Sequence, residues 1–296
     1  MTESAQDQLR QAWQQQRIWS WTANRLKAKI SKYRLAALML TLCGAVLAAM
    51  ATQLNLDGEA ADEAKIVAVG AGFAVGMVPA LRVAFDRRMV SDWTRMRSIS
   101  EALKSEIFTY LAGVSPYRCP DRHTVLGQHV RKILHDGEDL TYYLSDSLPA
   151  LTPLPEVSDI ASYVQVRLVG QIDRYYRPKA REMNRRLIIT RRVQGGLALT
   201  GAALGWLVLV PDVHSAAWIG VVTTAGTAVT AYAAESRYVY QFIEYSRTVQ
   251  QLDSILDGYL DAKDARTEQS DDDLVSQCER IVSIQNEGWM VKWRSD

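Results

Sequence analysis

Four stretches of this chain are long, apolar and free of charge, and they come as two hairpins: Leu35–Thr52 with Ile66–Leu81, then Val193–Val210 with Ala216–Ala234. At about 1.5 Å per helical residue, each crosses most of a ~30 Å hydrocarbon layer. The second reaches Phe85 when Arg82 snorkels toward the headgroups. A soluble core helix keeps a polar face, whereas these segments are apolar all round and rich in Gly and Ala. The near-neutral overall hydropathy averages them with charged flanks. The sequence therefore predicts an all-α membrane protein with four transmembrane helices, at about 35–52, 66–85, 193–210 and 216–234.

Charge placement orients the spans. Arg10 to Arg34 holds seven Lys/Arg and no acid, and Lys179, Arg181, Arg185, Arg186, Arg191 and Arg192 precede the third span with only Glu182 among them. The first hairpin loop carries Asp57, Glu59, Asp62 and Glu63 against Lys65 alone, and the second carries Asp212 and no cation. Positive residues stay on the cytoplasmic side, so both loops are expected outside and both termini in the cytosol of a plasma (inner) membrane protein. Trp206 and Trp218 fall at the outer ends of their spans, where interfacial indoles belong.

A net charge of +1 argues against a chain that coats nucleic acid. The three cysteines, Cys43, Cys119 and Cys278, are scattered and form no disulfide framework. The segment before the first span is too long and polar for a signal-peptide n-region, so that span is expected to stay as an anchor.

The chain also repeats itself. At one constant offset Asp86 meets Glu235, Arg88 meets Arg237, Leu103 meets Leu252 and Tyr110 meets Tyr259. At a second, Arg34 meets Arg191, Gly44 meets Gly201 and Leu47 meets Leu204. Both units run in the same direction, a parallel repeat about the membrane normal. After span two, Met89, Trp93, Met96, Ser100, Leu103, Ile107 and Tyr110 form a four-three seam, and Phe242, Tyr245, Val249, Leu252, Leu256 and Tyr259 repeat it after span four. Nothing between Phe85 and Met89 breaks a helix, so span two is expected to continue directly. Helices His123–Leu144, interrupted at Gly137, and Asp271–Trp293 close the two units, with Asp261–Asp273 a surface loop. The boundaries follow: a first unit at 1–148, a Pro-rich linker at 149–156 and a second unit at 157–296.

Catalytic patterns are missing. There is no Walker loop, no GxGxxG after a strand and no nucleophile elbow. Cys119 and His123 lack converging partners for a tetrahedral metal. No enzyme activity, cofactor or metal is expected.

Four groups of residues carry the functional candidates. Thr223, Thr227 and Thr230 lie at i, i+4 and i+7 of span four, one hydroxyl face that lines water, makes an interhelical polar contact in an oligomer, or bonds back to its own helix. Asp86, Arg88, Glu235 and Arg237 sit at the inner ends, a charged cytosolic mouth or a set of headgroup-level pairs. Ala68, Gly72, Gly76 and Ala80, with Gly201 and Gly205, are small-residue stripes that let helices approach and favour a homo-oligomer. Tyr163, Arg167, Gln171 and Tyr175 stand four apart on one helix face, either packed against a neighbour or holding a headgroup or ligand.

The run Tyr163-x3-Arg167-Leu168-x2-Gln171-Ile172-x2-Tyr175-Tyr176-x2-Lys179-Ala180 before two spans, with the closing Asn286-Glu287-Gly288-Trp289, resembles the SLATT domain, the SMODS and SLOG-associating two-transmembrane effector. Arg17-x-Trp19-Ser20-x2-Ala23-Asn24-x-Leu26-Lys27 before the first hairpin is similar to another SLATT subfamily. The resemblance implies a tandem pair in a prokaryotic membrane protein of nucleotide-signalled conflict and antiviral defence systems, acting as a pore-forming effector. It carries no catalytic residues, and no fused nucleotide synthase or sensor domain is expected. The partners expected are the lipid bilayer, further copies of the chain and a cytosolic nucleotide-signal or protein trigger. The rival reading is a non-conducting membrane scaffold or sensor.

Overall fold

The computed structural model describes residues 3–56, 61–84, 87–144, 152–210, 215–262 and 266–294. Every regular element among them is helical: α1 (Glu3–Leu56), α2 (Ala61–Ala84), α3 (Arg87–Ala112), α4 (Arg122–His135), a 3-10 turn (Glu138–Tyr143), α5 (Ile160–Tyr163), two π-helical segments, π1 (Val164–Val169) and π2 (Ile172–Tyr176), α6 (Arg177–Leu207), α7 (Ala216–Ser236), α8 (Tyr238–Asp261) and α9 (Glu268–Arg294). The chain divides into a bundle unit, Met1–Ala28 with Arg87–Ala180 and Ile243–Asp296, and an apolar unit, Lys29–Asp86 with Arg181–Phe242. The division cuts across the two sequence repeats, so the expected boundaries at 148 and 157 describe the repeat, while the folded units each draw on both halves.

In the bundle unit, α3 is the axis. Trp93, Met96, Ser100, Leu103, Ile107 and Tyr110 of its expected seam are all buried. Against them α1 brings a stripe with the same three-four spacing: Leu9, Ala12, Gln16, Trp19, Ala23 and Leu26. Such spacing keeps one face of a helix turned toward its neighbour. The two polar members meet, with Gln16 Nε2 donating to Ser100 Oγ at 3.1 Å. A paired polar layer of this kind fixes the register of an otherwise apolar seam. The α8 seam is used only in part: Tyr245 and Leu252 are buried, while Phe242, Val249, Leu256 and Tyr259 are partly exposed.

The closing helices differ in detail from expectation. α4 stops at His135, and Gly137 caps the 3-10 turn that follows. A Cβ on Gly137 would meet Ile99 Cδ1 and, at 2.7 Å, the buried ring of Trp19. Gly137→Ala is therefore expected to lower stability by about 1–3 kcal/mol, read as a shift in the denaturant midpoint. α9 begins at Glu268, inside the expected loop, because Thr267 and Ser270 exchange hydrogen bonds (Thr267 N to Ser270 Oγ 2.9 Å; Ser270 N to Thr267 Oγ1 3.2 Å). The acidic run therefore becomes the first turn of a helix, where carboxylates suit the dipole. Arg118 holds two of them, Glu268 and Asp272, each at 2.8 Å.

Across π1, π2 and the start of α6, the residues Val164, Leu168, Ile172, Tyr176 and Ala180 are all buried at a spacing of four. On a regular α-helix each such step drifts by about 40° and would carry the stripe off the core. The wider π turns, at about 4.4 residues each, drift the other way and keep it facing inward. Asp159 starts this run with a capping box, accepting from Ser162 N at 2.7 Å.

In the apolar unit, Gly44 of α1 lies against α2, where a Cβ would come within 2.6 Å of Val75 Cγ2. Ala64, Ala71 and Ala74 form the buried face of α2. Ala68, Gly72, Gly76 and Ala80 lie on its exposed side, and among the described residues nothing lies within 4 Å of a notional Cβ on Gly72 or Gly76. Gly201 faces Val222 of α7 at 3.5 Å from a notional Cβ, and no described residue lies within 4 Å of one on Gly205. Val69 is 73% and Leu199 75% exposed, apolar surface that calls for a lipid environment.

Three helices among the described residues are long and apolar enough to cross a membrane, within Gln6–Leu54, Ala61–Leu81 and Ala216–Asp261. The third expected span differs: it is helical to Leu207 and then turns through Val208–Val210. The expected continuous passage at 85–89 includes residues outside those described. At the equivalent place after α7 the helix breaks, with Arg237 in the left-handed region (φ 50°, ψ 40°).

Candidate functional site

The hydroxyl face of α7 opens on a cavity of about 330 Å³ in the apolar unit. Thr223, Thr224 and Thr227 line it from α7, Thr41 from α1 and Val78 from α2, with Arg34 and Glu235 also on the wall. Thr223 Oγ1 donates to Ile219 O at 2.9 Å, Thr227 Oγ1 to Thr223 O at 3.0 Å and Thr41 Oγ1 to Ala37 O at 2.9 Å. The hydroxyl protons are thus spent on their own helices. Each oxygen keeps acceptor capacity, so the wall offers acceptors to a cation or water at no cost in helix hydrogen bonds.

Thr230 is not on this wall. It donates to Gly226 O at 2.8 Å and accepts from Gln194 Nε2 of α6 at 2.8 Å, an interhelical contact. Arg34 Nη1 donates to the Glu235 backbone carbonyl at 3.2 Å. Of the other inner-end charges, Asp86 lies outside the described residues, Arg88 stands exposed on α3, and Arg237 occupies the break after α7. Sequence reasoning missed Thr41 and Arg34 as wall residues, although their seven-residue spacing places them on one face of α1.

The aromatic–basic stripe is divided in two. Tyr163 and Arg167 are buried against α9, where both find Glu279. Arg167 grips it with two bonds, Nε to Oε1 at 2.8 Å and Nη2 to Oε2 at 2.6 Å, and Tyr163 Oη donates to Oε1 at 2.9 Å. The guanidinium also lies over the Phe108 ring, 4.7 Å from its centroid. Burial works against its charge, but the Glu279 carboxylate and its hydrogen bonds outweigh that and hold it well above the ordinary arginine value. Burial first, and then Glu279, drives the Tyr163 phenol upward. Gln171 and Tyr175, in contrast, are only partly buried and face a second cavity. Glu279 escaped sequence reasoning because the buried face of α9 is otherwise apolar or thiol: Val275, Cys278 and Val282.

Residues 163–289 match the family described as SMODS and SLOG-associating 2TM effector domain 1. Residues 17–124 match a second family model, described as protein of unknown function (DUF4231), so the tandem arrangement is shown only in part. No curated protein and no solved structure matches the chain. The first match opens on Tyr163 and takes in Arg167 and Glu279, so both ends of the buried pair belong to that one domain.

Proposed function

We propose, from the premise that residues 163–289 are a SLATT domain of a membrane-associated effector, that the chain forms a membrane pore which opens on a cytosolic cue. The observation that carries this reading is the cavity in the apolar unit, walled by Thr41, Thr223 and Thr227 with Arg34 and Glu235 beside them. A conducting path needs a wettable face, and α7 supplies hydroxyls where the equivalent positions of α2 are Ala74, Val75, Val78 and Leu81. No Asp, Glu, Lys or His lies mid-span, which argues against a proton-coupled transporter. The exposed stripe Ala68, Gly72, Gly76 and Ala80 gives further copies of the chain a close-packing face, so the pore is a homo-oligomer. The reading includes four passes of the plasma membrane, both termini in the cytosol, and no catalytic step.

Two measurements test it. Purified protein in a planar bilayer is expected to give discrete conductance steps, and silence under every condition tried replaces the pore with a non-conducting scaffold. For topology, a cysteine at Gly58 is expected to label from outside intact cells and one at Ser270 is not; labelling of both from one side overturns the four-pass arrangement.

A further inference from the structure

We infer that the bundle unit contains a binding site for a phosphate group, set between α1, α3 and π2. The site is a cavity of about 160 Å³ lined by Trp13, Gln16 and Arg17 of α1, Arg97, Glu101 and Lys104 of α3, and Gln171, Tyr175 and Tyr176. That volume suits a tetrahedral oxyanion and not a whole nucleotide, so the remainder of any larger ligand stays outside, beside the partly exposed Arg17, Ser20 and Tyr175.

Charge is the first argument. The lining holds three cations and one carboxylate, and that carboxylate is committed: Glu101 pairs with Arg97 at 2.7 Å. The nearby Arg167 is matched by Glu279. Arg17 and Lys104 are left over, with no ion pair within 4.0 Å among the described residues. Keeping surplus cations in a partly dry cleft costs free energy, which an anion between them recovers. The Lys104 ammonium registers this cost: burial, with Arg167 and Arg97 adding to it against Glu101 and Glu279, lowers it to about 8.

Unused hydrogen-bonding capacity is the second, independent argument. Trp13 Nε1 and Arg17 Nε, both donors, are shielded from solvent and have no hydrogen-bond partner among the described residues. Gln16 is 4% exposed. Buried donors in native proteins are nearly always satisfied, and an indole N–H with a guanidinium N–H beside a lysine is a donor set for phosphate oxygens. The Gln16 amide is already anchored through Ser100, so the wall is held by the same polar layer that sets the α1–α3 register.

The inference rests on the bundle unit alone and stands whether or not the apolar unit conducts. It is tested by calorimetry on the full chain in detergent at low salt, with pyrophosphate and sulfate as probes. Parent protein is expected to bind pyrophosphate, and Arg17→Gln and Lys104→Gln each to weaken it at least tenfold while keeping the parent's helical circular dichroism. Sulfate does not titrate in this range, so at pH 8.5 its binding is expected to take up protons at Lys104, seen as a heat that varies with the buffer's ionisation enthalpy. That uptake should vanish in Lys104→Gln and persist in Arg17→Gln. If a variant fails to fold, the parent's proton uptake alone decides. Competition with short-chain phosphatidic acid distinguishes a soluble phosphoester from a lipid headgroup as the source. Absence of binding to the parent, or binding that neither variant weakens, overturns the site.

Discussion

Replacing Glu279 with alanine is expected to destabilise the protein by about 3–5 kcal/mol. Arg167 is 1% exposed and its counter-charge is Glu279, held by two hydrogen bonds. Removing the carboxylate leaves a guanidinium deep in the unit, and strips Tyr163 of its acceptor as well. The reverse change, Arg167→Ala, strands a buried carboxylate and is expected to cost a similar amount. Replacing both, Arg167→Met with Glu279→Leu, removes the charges together and is expected to return to within about 1 kcal/mol of the parent. A denaturant titration in mild detergent, followed by tryptophan fluorescence, reads all four proteins. If the double variant is no more stable than the singles, the loss reflects packing and the charge argument fails.

Thr227→Val is expected to reduce ion flux by about tenfold or more, through dewetting of the cavity wall. Valine keeps the volume and removes an acceptor oxygen that faces the space between α1, α2 and α7. Its hydroxyl proton is already bonded to Thr223 O, so the helix loses little by the change. Thr230→Val serves as the internal comparison, because Thr230 is turned to Gln194 and stands off the wall. Glu235→Gln is expected to shift cation preference without changing the number of conductance steps. Equal flux in Thr227→Val and parent, measured in bilayers of one composition, removes α7 from the conducting path.

The helical class and the membrane-spanning character were legible because both rest on periodicity and hydropathy, which are local properties. The α3 seam from Trp93 to Tyr110 was legible for the same reason. Residues brought together over distance were not. Arg167 announced itself as the only cation in an aromatic stripe, but its partner lies on a helix whose other inward residues are ordinary core. The four-residue spacing of the Tyr163 stripe read as an α-helical face, while the chain meets it with π turns, which no local propensity marks. The partner of Thr230 was likewise hidden: its bond back to Gly226 O follows from the helix alone, but Gln194 reaches it across from α6. The α1 heptad was present in plain view, from Leu9 to Leu26, and was masked by the polar residues between its members.

The buried pair has a consequence for how the protein is made. Arg167 and Glu279 are 112 residues apart, and at about 5–20 residues per second the ribosome needs roughly 6–20 s to deliver the second after the first. The segments of the bundle unit bracket those of the apolar unit, so the chain of the second hairpin is synthesised inside that interval. Throughout it Arg167 stays hydrated, and the bundle has no low-energy closed form to adopt. A nascent chain halted before residue 279 therefore never closes around Arg167. Closure of the bundle is thus coupled to the synthesis of α9, and copies truncated before Glu279 remain open and visible to proteases.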